Sequence, residues 1–327
     1  MNRPKLISTG VGLAMLAALV SPALSTPIQS SQQDAANEFP RYSPELDLLR
    51  RQLAASGRVD VGIARAEYIT TSAGFNPVTS QTIVANDRKP DTWWPQFVEN
   101  DPRREGRSSI TYVVDQSDGS ALTWLPGLAV LPNSTTEAVI DLSMGEWQLD
   151  PGCNGPAIVK VADSGDNIDV ADDIGFGRPR GNSIADVTHG GWINSRFFDI
   201  IAPGGSAYVL GVTISFVFLD QNGDPTDIDD NGRADTAFME IYYNRGFAWA
   251  QPGNDDNADI ESIVKHEAGH ALGLSHFGKV FLTKNGSEIE DIHYAPRAVM
   301  NAVYVSPFPD LTGTDKAAFC RIWANSH

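Results

Sequence analysis

The chain has little cysteine, little histidine and little positive charge, and each scarcity narrows what it can be. Cysteine occurs twice, at Cys153 and Cys320, which limits the covalent framework to one intramolecular disulfide or leaves free thiols. Lysine and arginine total 24 against 41 aspartates and glutamates, for a formal net charge of -17. A surface of that sign repels phosphate backbones and anionic headgroups, so neither nucleic acid nor a charged membrane is an expected partner. Long apolar runs are missing too. Residues 6–20 form such a stretch, weakened by Gly10 and Gly12, and it falls short of the roughly 20 apolar residues that span a bilayer. No repeat of solenoid period is present.

What is present points to export. Arg3 and Lys5 precede the apolar run, and Ala23 and Ser25 follow it as small residues, so residues 1–25 are expected to be a secretory signal peptide, with no membrane anchor. The compartment is then oxidising, and a Cys153–Cys320 disulfide is the simplest pairing. With 42% apolar residues, the remainder is ample for one large domain, residues 107–327, after a smaller N-terminal region. Residues 26–106 are weakly patterned. Leu46, Leu49 and Leu53 suit a short helix, residues 59–71 read as strand, and Trp93, Trp94 and Phe97 form an aromatic cluster. This region is either a propeptide segment lying in a cleft or an N-terminal extension packed on the domain.

From residue 109 the patterns sharpen. Ile110 to Val114 is a β-branched and aromatic strand. Ser134, Thr135, Thr136 and Glu137 have the form of a capping box before a helix with Ile140, Met144 and Trp147 on one face. Strands are expected over residues 157–161 and 167–170. Residues 208–219 and 237–243 read as an antiparallel pair, and residues 312–323 as a terminal helix that offers Cys320 to Cys153. Between the paired strands, Asp227, Asp229, Asn231 and Asp235 alternate as oxygen ligands with Gly232 at the turn, matching the first part of a calcium loop. Its twelfth position is Phe238 rather than glutamate, which excludes an EF-hand. A calcium-clamped hairpin and a hydrophilic turn that needs no ion both fit.

The densest chemistry lies between His266 and His276. Three of the six histidines, His266, His270 and His276, fall within these eleven residues. Histidines at i and i+4 share a helix face, so His266 and His270 can reach one cation. Glu267 is the nearest acid. Gly273 can take the left-handed conformation that ends a helix and brings His276 up as a third ligand. Three imidazoles with one open position are the catalytic zinc arrangement. The plain alternative is a solvated helix that holds the His-Glu-x-x-His pattern by chance.

The full pattern, His266-Glu267-x-x-His270-x-x-Gly273-x-x-His276, followed by Met300 twenty-four residues later, resembles the metzincin zinc endopeptidases, and within them the matrixins. The resemblance covers residues 107–327. It implies an α+β zincin fold: a twisted mixed sheet with a backing helix and an active-site helix, then a loop-rich C-terminal subdomain with a terminal helix. It also implies a secreted endopeptidase acting on protein or peptide, with zinc on the three histidines, Glu267 as general base and Met300 as a hydrophobic floor. A strand around His189 would form the cleft rim and pair with substrate, with His189 a structural or rim histidine. The sequence departs from the matrixin pattern at Phe277, where serine or threonine is usual, and lacks the histidine-rich structural zinc loop. Residues 26–106 contain no cysteine to block the zinc. Ala302 stands where astacins and serralysins carry a zinc-binding tyrosine, so Tyr304 is not a ligand by pattern. Two rivals stay open: a non-catalytic exported binding protein on the same scaffold with a structural zinc, and a zinc hydrolase of small amides.

Overall fold

The computed structural model describes residues 51, 60–72, 95–115, 131–149, 153–164, 171, 185–250, 258–285 and 288–323. The expected signal peptide, Trp93 and Trp94, and the strand expected over residues 167–170 lie outside these residues.

The fold is α+β. Its main sheet contains β1 (Val61–Thr71), β2 (Ile110–Val114), β3 (Ile158–Lys160), β4 (Val187–Ile193), β5 (Val209–Phe218) and β6 (Thr236–Asn244). Two small pairs follow, β7 (Trp249–Ala250) with β8 (Ala258–Asp259) and β9 (Lys279–Asn285) with β10 (Glu288–Ala295), before β11 (Val303–Tyr304) returns to the main sheet. Strand order is β11-β1-β5-β6-β4-β2-β3. Within this main sheet the β1/β5 and β5/β6 pairs are antiparallel and the others parallel. Helices α1 (Asn133–Leu149), α2 (Arg196–Ile201), α3 (Ile260–Ala271) and α4 (Gly313–Trp323) accompany the strands.

Helices cover both faces of the middle strands, which is why β5 and β6 read as near-continuous apolar runs. On one face Ile140, Met144 and Trp147 of α1 and Ile263, Val264 and Ala268 of α3 pack with Met239, Ile241 and Tyr243. On the other, Phe197, Phe198 and Ile201 of α2 meet Val212, Ile214, Phe216 and Tyr242. The alternation of Met239, Ile241 and Tyr243 with Phe238 and Tyr242 is the period of two that sends neighbouring side chains to opposite faces.

One sequence expectation changes here. The strand around His189, expected as a cleft rim, is β4, and it lies between β2 and β6 with both edges hydrogen-bonded. A strand paired on both sides cannot add a substrate chain, so β4 is interior. The strand expected over residues 59–71 is β1, the neighbour of β5. Gln96 also belongs to this framework: it bridges to Asp235, and its carbonyl accepts from the Thr236 N–H at 2.9 Å.

Cys153 and Cys320 form a disulfide across a sequence separation of 167. Closing a loop of that length stabilises the fold by about 5 kcal/mol in the chain-entropy picture. Among the described residues, no helix is long and apolar enough to cross a membrane.

Candidate metal centre

Helix α3 begins at Asp259, whose carboxylate accepts from the Glu261 N–H at 2.9 Å and from Ser262 Oγ at 3.1 Å. An acid there satisfies orphan N–H groups and meets the positive end of the helix dipole. All twelve residues of α3 are buried, because the sheet covers one side and the C-terminal segments the other. His266 and His270 project from it one turn apart. Gly273, at φ +87°, then reverses the chain. Its N–H donates to His270 O at 2.9 Å and that of Leu274 to Gly269 O at 3.0 Å, so the final turn closes tightly and His276 swings back beside the pair.

The three Nε2 atoms lie 3.0, 3.1 and 3.1 Å from one another. Each Nδ1 faces an oxygen instead: Val299 O at 2.6 Å for His266, Leu274 O at 2.8 Å for His270, and Glu67 Oε2 at 3.4 Å for His276. Carbonyl oxygens at Nδ1 of His266 and His270 place the imidazole proton there, and the three Nε2 atoms face one point. Three buried lone pairs in mutual contact repel unless a cation lies among them. The spacing suits nitrogens held about 2.0–2.1 Å from a zinc-sized ion, so the residues fit a divalent metal. Burial pushes the pKa of His266 down to about 4, and burial with the neighbouring histidines pushes those of His270 and His276 well below the usual value. The ligand set is therefore neutral at neutral pH, as metal binding needs.

Glu267 is wholly buried between α3 and the sheet. Thr213 Oγ1 donates to its Oε2 at 2.7 Å, and the Ile69 N–H of β1 donates to its Oε1 at 3.3 Å. Burial drives its pKa well above the carboxylate range, against the pull of those two hydrogen bonds, and the nearby Glu67 charge adds to the rise. The close approach depends on Gly211, where an added Cβ would lie 3.0 Å from Glu267 Cγ.

Beneath the triad, Met300 is fully buried against α3. A Cβ on Gly269 would collide with the Met300 sulfur and come within 2.9 Å of Trp147 Cζ2. Asp315 of α4 holds this turn, accepting from the Val299 and Met300 N–H groups at 3.0 and 3.2 Å. The Phe277 N–H in turn donates to Met300 O at 3.1 Å, so the residue after His276 is tied to the floor.

The motif thus gathers the residues expected of it, but sequence reasoning missed those that hold them. Gly211, Thr213 and Ser215 left a trace, three small residues at alternate positions in an apolar strand, which marks a face pressed closely against something. Glu67 and Asp315 left none, because their partners are 209 and 16 residues away or, like Val299, are backbone.

At the acidic hairpin, Asp227, Asp229 and Asp235 bring carboxylate oxygens within 4.8 Å of one another. The Asn231 side-chain oxygen accepts from the Arg233 N–H at 2.8 Å, and Asp235 is met by Arg103 Nη2 at 2.7 Å and Thr226 Oγ1 at 2.6 Å. A counter-charge is therefore already in place, supplied by an arginine 132 positions upstream. His189 is buried with Nδ1 2.9 Å from Tyr243 Oη, and burial pushes its pKa to about 3. No known family model matches the chain, nor does any curated protein.

Proposed function

We propose that the chain is a secreted zinc-dependent endopeptidase, metzincin-like and matrixin-related, that cleaves protein or peptide through Glu267. The observation that carries this is the convergence of three histidine Nε2 atoms beside a buried carboxylate on the adjoining residue. A zinc ion held by His266, His270 and His276 supplies a water activated near neutral pH and a polarised carbonyl. Glu267 takes one proton from the attacking water as the oxygen bonds to the scissile carbonyl carbon. It returns that proton to the amide nitrogen as the carbon–nitrogen bond breaks. Thr213 fixes the carboxylate, while the Val299 and Leu274 carbonyls fix two of the imidazole rings.

The disulfide supports an oxidising compartment. The acidic hairpin is the candidate calcium site in this reading: Asp227, Asp229 and Asp235 bring carboxylate oxygens close enough to share one ion, with Arg103 pairing with Asp235 beside it. One observation favours the rival, a non-catalytic exported binding protein with a structural zinc: the triad is buried, with His276 the most open at 5%. Against the rival, a purely structural zinc site has no use for Glu267.

Cleavage of denatured casein by zinc-loaded protein, with and without chelator, separates the two. Glu267→Ala should keep its zinc and lose cleavage by about 100-fold or more. Undiminished cleavage by that variant would sink the mechanism.

A further inference from the structure

The three histidines are not held alike. His266 and His270 lie one turn apart on a buried helix, and their Nδ1 atoms meet the Val299 and Leu274 carbonyls at 2.6 and 2.8 Å. His276 follows the reversal at Gly273, outside any helix or strand, and its Nδ1 faces the Glu67 carboxylate at 3.4 Å instead of a carbonyl. A ligand on irregular chain keeps its place only where the backbone around it is fixed. That fixing comes from Asn301, the residue after Met300, which is 1% exposed. Its Oδ1 accepts from the Ala298 N–H at 2.8 Å, and its Nδ2 donates to Phe277 O at 2.8 Å and to Pro296 O at 3.3 Å. The Phe277 N–H donates to Met300 O at 3.1 Å. Both backbone polar groups of the residue next to His276 are therefore taken up by the consecutive residues 300 and 301. Gly278 completes the fit: at φ +97°, a Cβ there would lie 2.8 Å from Asn301 Nδ2 and 3.0 Å from Pro296 O.

We propose that Asn301 is the positioning residue for the third metal ligand, its carboxamide carrying the geometry of the Met300 turn across to His276. The proposal rests on the three-histidine centre binding a divalent metal, and not on what the metal then does. A carboxamide suits the task because it has an acceptor at one end and donors at the other. The acceptor holds the turn through Ala298, and a donor holds the chain beside His276 through Phe277. An aspartate of the same shape keeps the first bond and loses the second. The same turn orients His266 through Val299 O, so residues 299 and 301 place the first and third ligands, while His270 is held by the end of its own helix. The grip is on the Phe277 backbone, and the departure from the matrixin pattern at that side chain leaves it intact.

The test compares Asn301→Asp with the wild-type full chain. Zinc affinity is measured against a competing chelator, and the ligand set is followed by the visible absorption of the cobalt(II)-loaded protein, which a change in stability alone does not move. Asn301→Asp should bind zinc about 10–100-fold more weakly, with its cobalt spectrum altered toward that of His276→Ala. The added negative charge would by itself favour the cation, so a loss does not come from charge. Because Asn301 acts through His276, the loss should shrink toward nothing where His276→Ala is already present and persist beside His266→Ala. Coupling of this kind is reciprocal. In the wild type, zinc should therefore slow hydrogen exchange of the Phe277 N–H and the Asn301 side-chain amide by a similar factor, a measurement that stands whether or not the variants fold. Wild-type affinity and spectrum in Asn301→Asp, an undiminished loss in the His276→Ala background, or exchange that zinc leaves unchanged would each overturn the proposal. If these results come out as expected while casein stays intact, the peptidase reading fails alone. If the wild type takes up no zinc, the metal centre itself fails, and the role of Asn301 with it.

Discussion

Gly269 lies between the two helical histidines with no room for a methyl group. Its neighbours on that side are the Met300 sulfur and Trp147, both wholly buried. Gly269→Ala should therefore lose about 1–3 kcal/mol to overpacking, less the ~1 kcal/mol gained from helix propensity. Zinc affinity should fall with it, since the displaced methionine carries Val299 O away from His266. Urea denaturation of the metal-free protein and a zinc titration measure the two effects, and a more stable variant would contradict the packing. His189 gives a separate residue-scale test. Its folded pKa of about 3 lies below the ordinary value of 6.5 because burial excludes the charged ring. Between those values the unfolded chain binds one more proton. The stability from keeping His189 neutral is thus fully present above pH 6.5 and is lost as pH falls toward 3, at up to about 1.4 kcal/mol per pH unit. Denaturation curves of wild type and His189→Gln between pH 4 and 6 should differ in slope by about one proton.

At the scale of elements, α3 depends on a neighbour that its own sequence does not name. Asp315 of α4 accepts from the N–H groups of Val299, Met300 and Thr312 and from the Thr312 hydroxyl at 2.6 Å, and it is fully buried. Asp315→Ala leaves these donors without an acceptor, so a loss of about 3 kcal/mol or more is expected. Zinc should also bind roughly 10–100-fold more weakly, because Val299 O orients His266. Thermal unfolding and competition with a chelator dye measure the two. What the sequence made legible was local. The helix with its histidine pair, the glycine that ends it, the α1 face and the β5/β6 hairpin all follow from spacings of one to four residues or from alternation. The illegible part was pairing at long range. Nothing in residues 61–71 says that they lie beside β5 rather than outside the sheet, because strand order is set by which edge is available and not by the strand's own composition. The rim reading of β4 came from the resemblance alone, and nothing in its own run of apolar and small residues distinguishes an edge from an interior position.

At the scale of the whole molecule, one covalent bond ties the end of α1 to α4. Breaking it by reduction, or by Cys320→Ser, should lower stability by about 2–5 kcal/mol, which thermal unfolding with and without reductant would show. Its position has a further consequence. Cys320 sits on the same helix as Asp315, and Asp315 positions the carbonyl that orients the first histidine. A loosened α4 releases that carbonyl, so thiol oxidation and metal affinity are linked quantities. A chain still bearing two thiols should grip zinc more weakly than the same chain after oxidation, a difference that zinc titration under the two redox conditions would reveal.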